Sequence, residues 1–104
     1  MKADCIQATL EILGDKWTAL IIRRLYDGPA ARFSELELEL EGISPRTLSQ
    51  RLDKLAKEGI VVTKQYCDHP PRVTYSLTTK GQELQKVLVQ MADWGTRYAS
   101  HNTV

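Results

Sequence analysis

Between Ser44 and Gly59 the chain reads SPRTLSQRLDKLAKEG, and in a helix these residues divide into two faces. Leu48, Leu52, Leu55 and Ala56 share one face at three- and four-residue spacings. Arg46, Ser49, Gln50, Asp53 and Lys57 share the other. Long hydrogen-bond donors in the first two turns are the side chains that can enter a DNA major groove. Arginine pairs there with guanine and glutamine with adenine, which makes Arg46, Ser49 and Gln50 the candidate base contacts. Asp53 could accept from cytosine or remain solvated. Arg51, Lys54 and Lys57, with Lys64 and Arg72 further along, are the candidate phosphate contacts. Ser44 and Thr47, at the start of the same segment, complete the candidate surface.

Other chemistries find little support. There are two histidines, His69 and His101, and two cysteines, Cys5 and Cys67. No spacing suggests a Ser/His/Asp or Cys/His nucleophile, no Gly-rich loop could cradle phosphate, and the carboxylates lie on helix surfaces. Cys67 and His69 could offer two metal ligands, but a structural zinc site takes four. Enzymatic activity is therefore not expected, nor a metal or cofactor.

The elements that must position the candidate surface follow from local signals. Ile43 precedes the helix, Ser44 can cap it, and Pro45 fits the first helical position. Gly59 can end it in a left-handed conformation. Upstream, Ala3 to Leu13 carries Ile6, Leu10 and Leu13 at helical spacing. Gly14 stops that run, and Asp15 can cap the next. Lys16 to Tyr26 is the most apolar helix, with Trp17, Leu20, Ile21, Ile22 and Leu25 forming a core spine; Trp17 reads as packing. Asp27-Gly28-Pro29 breaks it.

Ala31 to Phe33 could form a very short strand. The following SELELELEG alternates like a strand yet is built of helix formers. Ser34 with Glu37 suggests a capping box, Phe33 a hydrophobic staple, and Leu36 and Leu40 a shared face, so the segment is expected to be a short helix. Gly42-Ile43 then turns into the helix at Ser44, giving helix, Gly-containing turn, helix. After Gly59 the period becomes two. Val61 to Tyr66 and Val73 to Leu77 predict a hairpin around Cys67-Asp68-His69-Pro70-Pro71. A helix-turn-helix followed by a hairpin is a winged helix. The wing, 64–74, would set Arg72 and His69 against the DNA backbone or minor groove.

Thr78 or Thr79 can cap a last helix running to about Tyr98. Leu84, Val87, Met91, Trp94 and Tyr98 follow a heptad seam, widened by Leu88. Such a seam on a terminal helix suits a second copy of the chain. The tail from Ala99 to Val104 is expected to fray.

With 104 residues, the chain is expected to form one domain, 1–104, mainly α with a small β-hairpin. Asp4, Gln7, Thr9 and Glu11 interrupt any secretory signal and no stretch is long enough to span a membrane, so the expected location is cytoplasmic. The net charge is only +1, but its distribution is uneven. Ser44 to Arg72 holds six basic and three acidic residues, whereas Arg32 to Ile43 holds one basic and four acidic. Positive charge is thus concentrated where a specific DNA surface would need it.

Several ordered motifs resemble the HxlR-type winged helix-turn-helix transcriptional regulators, relatives of the MarR-like group. They are Ile12-Leu13-Gly14 with Lys16-Trp17, Asp27-Gly28-Pro29, Arg32-Phe33-Ser34-Glu35-Leu36, and Gly42-Ile43-Ser44 with Thr47-Leu48 and Gln50-Arg51-Leu52. Leu55 and Gly59 continue the match. Pro70-Pro71-Arg72-Val73, Tyr75, Leu77-Thr78, Gly81 and Asp93-Trp94 complete it. The resemblance implies a cytoplasmic homodimer on double-stranded operator DNA, with recognition helix 44–58 in the major groove and N- and C-terminal dimerisation helices. The effector is left unspecified. Some members of that family sense electrophiles or oxidants through a cysteine near the N-terminus. Cys5 stands near that place, early in a helix whose dipole favours a negative charge and close to Lys2, although Ile6 replaces the proline many members carry. The plainer reading of Cys5 is a small buried packing residue. One departure from the family is the acidic run Glu35, Glu37, Glu39 and Glu41, which would oppose phosphates or serve a protein contact. That run favours the alternative reading, a winged-helix protein-interaction module without DNA binding.

Overall fold

The computed structural model describes residues 3–99. Lys2, His101 and the tail 100–104, on which expectations were placed above, lie outside them. The element order is α1 (Ala3–Leu13), α2 (Lys16–Asp27), β1 (Ala31–Arg32), α3 (Phe33–Glu39), α4 (Pro45–Lys57), β2 (Val61–Asp68), β3 (Pro71–Leu77) and α5 (Thr79–Tyr98). The strands form one antiparallel sheet in the order β1-β3-β2. The hairpin is therefore extended by β1, where Ala31 pairs with Tyr75 and Arg32 with Thr74. This is a winged helix: five helices around a small sheet whose outer hairpin is the wing.

Ile21, Ile22 and Leu25 of α2 form the spine of the core, as their spacing predicts. Leu36 of α3, Leu48, Leu52 and Leu55 of α4, and Ala31, Ile43, Ile60 and Val61 close around it. Trp17 packs at its margin, with Lys16 Nζ 4.6 Å from the centre of its ring. Four local expectations change. Leu20, expected in the core spine of α2, is 41 % exposed, on the side of the helix turned from the core. Ala56 is exposed and does not belong to the buried face of α4. The strand at residue 31 ends at Arg32, and Phe33 already opens α3. The box at Ser34 and Glu37 does not form, because the N-cap is Arg32 and Glu35 Oε1 accepts its backbone N–H at 2.8 Å.

The ends of α4 are fixed by the signals read from sequence. Ser44 Oγ accepts from Thr47 N–H at 3.0 Å and donates to Thr47 Oγ1 at 2.9 Å. At the other end Gly59 has φ of 75°. Its N–H donates to Ala56 O at 3.1 Å, and the N–H of Ile60 donates to Leu55 O at 2.9 Å. This is a Schellman ending, and Ile60 and Leu55, both fully buried, supply its hydrophobic contact.

The same junction anchors α5. Thr78 Oγ1 accepts from Gly81 N–H at 3.1 Å and donates to the Gly59 carbonyl, while Thr78 N–H donates to Ile60 O at 3.0 Å. A Cβ at Gly81 would run into the Ile60 carbonyl, so only glycine permits this approach. Thr78→Ala is expected to lower stability by about 1 kcal/mol, the usual cost of a lost N-cap. Urea denaturation checks it; an unchanged midpoint would mean that the junction does not depend on the hydroxyl.

Candidate nucleic-acid interface

The buried stripe of α4 fixes which side faces outward. With Leu48, Leu52 and Leu55 against the core, Arg46, Ser49, Gln50, Asp53 and Lys57 are exposed. Among the described residues, no side-chain hydrogen bond or ion pair engages Arg46, Ser49, Gln50 or Lys57. A rigid helix, capped at both ends, thus presents two cations, a hydroxyl and an amide outward. Asp53 lies near the sheet: the Tyr75 phenol is held above its ordinary pKa by burial first and by the Asp53 charge second.

Four of the candidate contacts are engaged within the chain. Ser44 and Thr47 bond to one another at the cap. Arg51 turns toward α2, its Nε 3.1 Å from Asp15 Oδ1, in an ion pair whose N–H is not aligned for a hydrogen bond. Lys54 Nζ donates to the carbonyl of Glu11 in the last turn of α1 at 2.5 Å. Arg51 and Lys54 therefore brace the helix from its flank.

Asp15 joins these braces. It caps α2, accepting from Thr18 N–H at 3.0 Å and Thr18 Oγ1 at 2.8 Å. Burial alone would raise its pKa, but the Thr18 bonds and the Arg51 guanidinium together hold it below the ordinary carboxylate value. A depressed folded pKa gives stability that is fully present above the unfolded value, about 3.9, and lost as pH falls through the lower folded value. Asp15→Asn, which keeps a capping group, is expected to be less stable than the parent at pH 7, and the gap should close below about pH 4. Thermal melts across pH measure it; a gap constant with pH would reject the charge-based brace.

The wing carries Lys64, opposite Thr74, and Arg72, opposite Cys67, both exposed. A register shift between Gln65 and Cys67 bends β2, and the turn holds a cis His69-Pro70 bond. Past Val61, every residue of β2 up to Tyr66 is exposed, so the hairpin projects from the body.

One cation was missed by reading charge along the chain. Arg32 sits on β1, next to β3, with its guanidinium beside the Tyr66 hydroxyl and 3.4 Å from Glu35. With Ser34, Tyr66, Pro70, Pro71 and Arg72 it surrounds a shallow depression of about 420 Å³ along the side of the wing, towards its tip. Its sequence neighbours are acidic; only the strand order brings it to the wing.

The acidic run is partly neutralised. Glu39 accepts from Arg24 Nε through both oxygens, at 3.0 and 3.1 Å, and Glu35 is held by the Arg32 backbone. Glu41 is exposed, as is Leu38, at 84 %.

On the far side, Leu84 of the expected seam packs against the core. The rest of the seam is increasingly exposed along α5: Val87 43 %, Met91 50 %, Trp94 60 % and Tyr98 70 %. Trp94 and Tyr98 stack obliquely, ring centres 5.5 Å apart. Ile6 and Leu10 of α1 are also half-exposed, and with Cys5, Thr9, Leu13, Val87 and Met91 they line an apolar groove of about 360 Å³. Cys5 is exposed in this chain, contrary to the packing reading, and both cysteines are free.

No helix among the described residues is long and apolar enough to cross a membrane. No group of three or more histidine, cysteine, aspartate or glutamate side chains among them could hold a metal ion.

Comparison with known proteins agrees with this architecture. The family model described as HxlR-like helix-turn-helix matches residues 12–103. The chain is 39% identical over 92 residues to the uncharacterized HTH-type transcriptional regulator YvaP of Bacillus subtilis, covering 88% of this chain and 84% of YvaP. It resembles the reduced form of the transcriptional regulator YodB from B. subtilis with a TM-score of 0.83 and 34% identity, covering 94% of this chain and 95% of that one. It resembles the redox regulator HypR in its oxidized form with a TM-score of 0.79 and 34% identity, covering 95% and 98%. YvaP and YodB are transcriptional regulators, not enzymes.

Proposed function

We propose, from the premise that this chain belongs to the HxlR-like helix-turn-helix family of transcriptional regulators, that it binds operator DNA as a two-fold dimer in the cytoplasm. The α4 face of Arg46, Ser49 and Gln50 enters the major groove. Lys57 at its C-terminal end meets phosphate, and the wing, with Lys64, Arg72 and Arg32, follows the backbone or minor groove. The observation that carries this reading is the outward face of α4, whose donors have no intramolecular partner among the described residues. The unpaired part of the seam, Val87, Met91, Trp94 and Tyr98, joins the two copies, and Leu84 supports it from the core side.

The test is footprinting and titration on the DNA upstream of the gene. Two protected half-sites are expected with centres about 34 Å apart, or a multiple of that spacing. Arg46→Ala and Gln50→Ala should each weaken the complex by about 1–3 kcal/mol and relax one operator position. Arg72→Ala should weaken all sequences alike and flatten the salt dependence. Protection of a single half-site, or a change of sequence preference in Arg72→Ala alone, would overturn the assignment of roles.

A second reading, a protein-interaction module, is favoured by exposed Leu38 beside Glu41 on the acidic side. A salt-dependent operator complex excludes it. The thiol of Cys5, exposed in the α1–α5 groove, is the candidate redox or electrophile sensor. HypR is named a redox regulator, which supports that reading.

A further inference from the structure

Two guanidiniums meet at the shallow depression along the side of the wing, Arg32 from β1 and Arg72 from β3. Arg32 pairs with Thr74, and Thr74 with Lys64 on β2. Alternate residues of a strand share a face, so Arg32, Lys64 and Arg72 stand on one side of the sheet. The register shift between Gln65 and Cys67 leaves Tyr66 without a partner across β3, and its hydroxyl lies beside Arg32. The side-chain donors around the depression are the two guanidiniums and the hydroxyls of Ser34 and Tyr66.

Ser34 and Arg72 are exposed, and among the described residues no side-chain hydrogen bond or ion pair engages either. Arg32, by contrast, is held. Glu35 Oε1 accepts from its backbone N–H at 2.8 Å and lies 3.4 Å from its Nε. Asp68, near the tip, is turned to Gln65, whose amide donates to it at 2.8 Å. Gln65 alternates with Lys64 and so stands on the opposite face. Two guanidiniums against the one carboxylate of Glu35 leave a single positive charge, the complement of a phosphodiester. A shallow, polar hollow also suits a group carried along a backbone better than an engulfed small molecule.

We propose that this depression is a phosphodiester site: Arg32 and Arg72 grip one phosphate of the operator backbone, and Glu35 and Tyr66 hold Arg32 in place for it. This rests on the operator-binding reading above and narrows it, since this side of the wing then meets the backbone and not the minor groove. Glu35 has the opposite role to the one its charge suggests. Tied to the Arg32 backbone, it orients the cation that meets the phosphate.

The test uses the full chain and operator duplexes in which single phosphates are replaced, one at a time, by a neutral methylphosphonate. At one position the replacement should weaken binding by the parent about tenfold, the worth of one charge-assisted contact. The same duplex should cost Arg32→Ala nothing further, and Arg32→Ala should lower the salt slope by about one. Arg32 is exposed, so this variant should fold. Tyr66→Phe and Glu35→Gln should each shrink the methylphosphonate penalty at that position. The penalty is a ratio within one protein, so a change in stability does not move it. Tighter binding by Glu35→Gln with the penalty unchanged would show that Glu35 only repels the phosphate, and would overturn its positioning role. Inorganic phosphate separates the backbone from a free anion. In amide NMR titrations without DNA, at constant ionic strength, it should leave Arg32, Ser34 and Arg72 unsaturated up to about 1 mM. Saturation below that would make the depression a free-anion pocket and overturn the operator assignment. Absence of any operator complex of the parent rejects the regulator reading and this site with it. A complex whose penalties are equal in the parent and Arg32→Ala at every position rejects only the site.

Discussion

Trp94→Glu should sediment as a monomer and bind the operator roughly 10²–10⁴-fold more weakly, the loss expected when two linked half-site contacts become one. The indole is 60 % exposed and lies outside the core, so its replacement leaves the fold of one chain intact. In a dimer joined along Val87, Met91, Trp94 and Tyr98 it would bury a carboxylate against apolar side chains, while the neighbouring cation, Arg97, is already paired with Asp93. The parent interface is mainly hydrophobic, so high salt should not dissociate it, although salt weakens the DNA complex. Circular dichroism separates dissociation from unfolding. A well-folded dimer from Trp94→Glu would reject the seam.

The parts of this molecule that were legible in its sequence are those fixed locally. The ends of α4 depend on Ser44, Pro45 and Gly59, and each acts within a few residues of itself. Thr78 caps α5 for the same reason. The slip at α3 came from a tertiary cause. Ser34 and Glu37 have the spacing of a capping box, but pairing of Ala31 and Arg32 with β3 decides where the chain leaves the strand, and the helix starts at once. Ala56 lies at the edge of the α4 stripe, and the core does not extend around to it. The site divided in the same way. The outward set Arg46, Ser49 and Gln50 follows from helical spacing alone. That Arg51 and Lys54 brace α4 depends on which neighbours flank it, and periodicity is silent on neighbours. Arg32 joins the wing through strand order, which charge counted along the chain cannot reveal.

Diamide treatment should lower operator affinity by an amount comparable to Trp94→Glu, and dithiothreitol should restore it. The argument starts from position. Cys5 is exposed on α1, in the groove that Val87 and Met91 border from α5, so any group added to its sulfur enters the space where the two chains are proposed to meet. Diamide oxidises two thiols to one disulfide and is itself reduced to the hydrazine, so with a low-molecular-weight thiol added it leaves Cys5 as a mixed disulfide and puts a bulky group among Ile6, Leu10 and Met91. Cys67 is half-buried on the wing, where its thiol donates weakly toward the His69 carbonyl at 3.8 Å. Its modification would alter the wing and not the groove. Cys5→Ser should therefore bind operator in both conditions, and Cys67→Ser should still respond. A disulfide joining Cys5 of two copies would also satisfy the geometry of first helices meeting near a two-fold axis, and non-reducing electrophoresis distinguishes it from a mixed disulfide. Unchanged operator binding by the parent after complete modification of Cys5 would remove the sensor role and leave this thiol as part of the apolar groove.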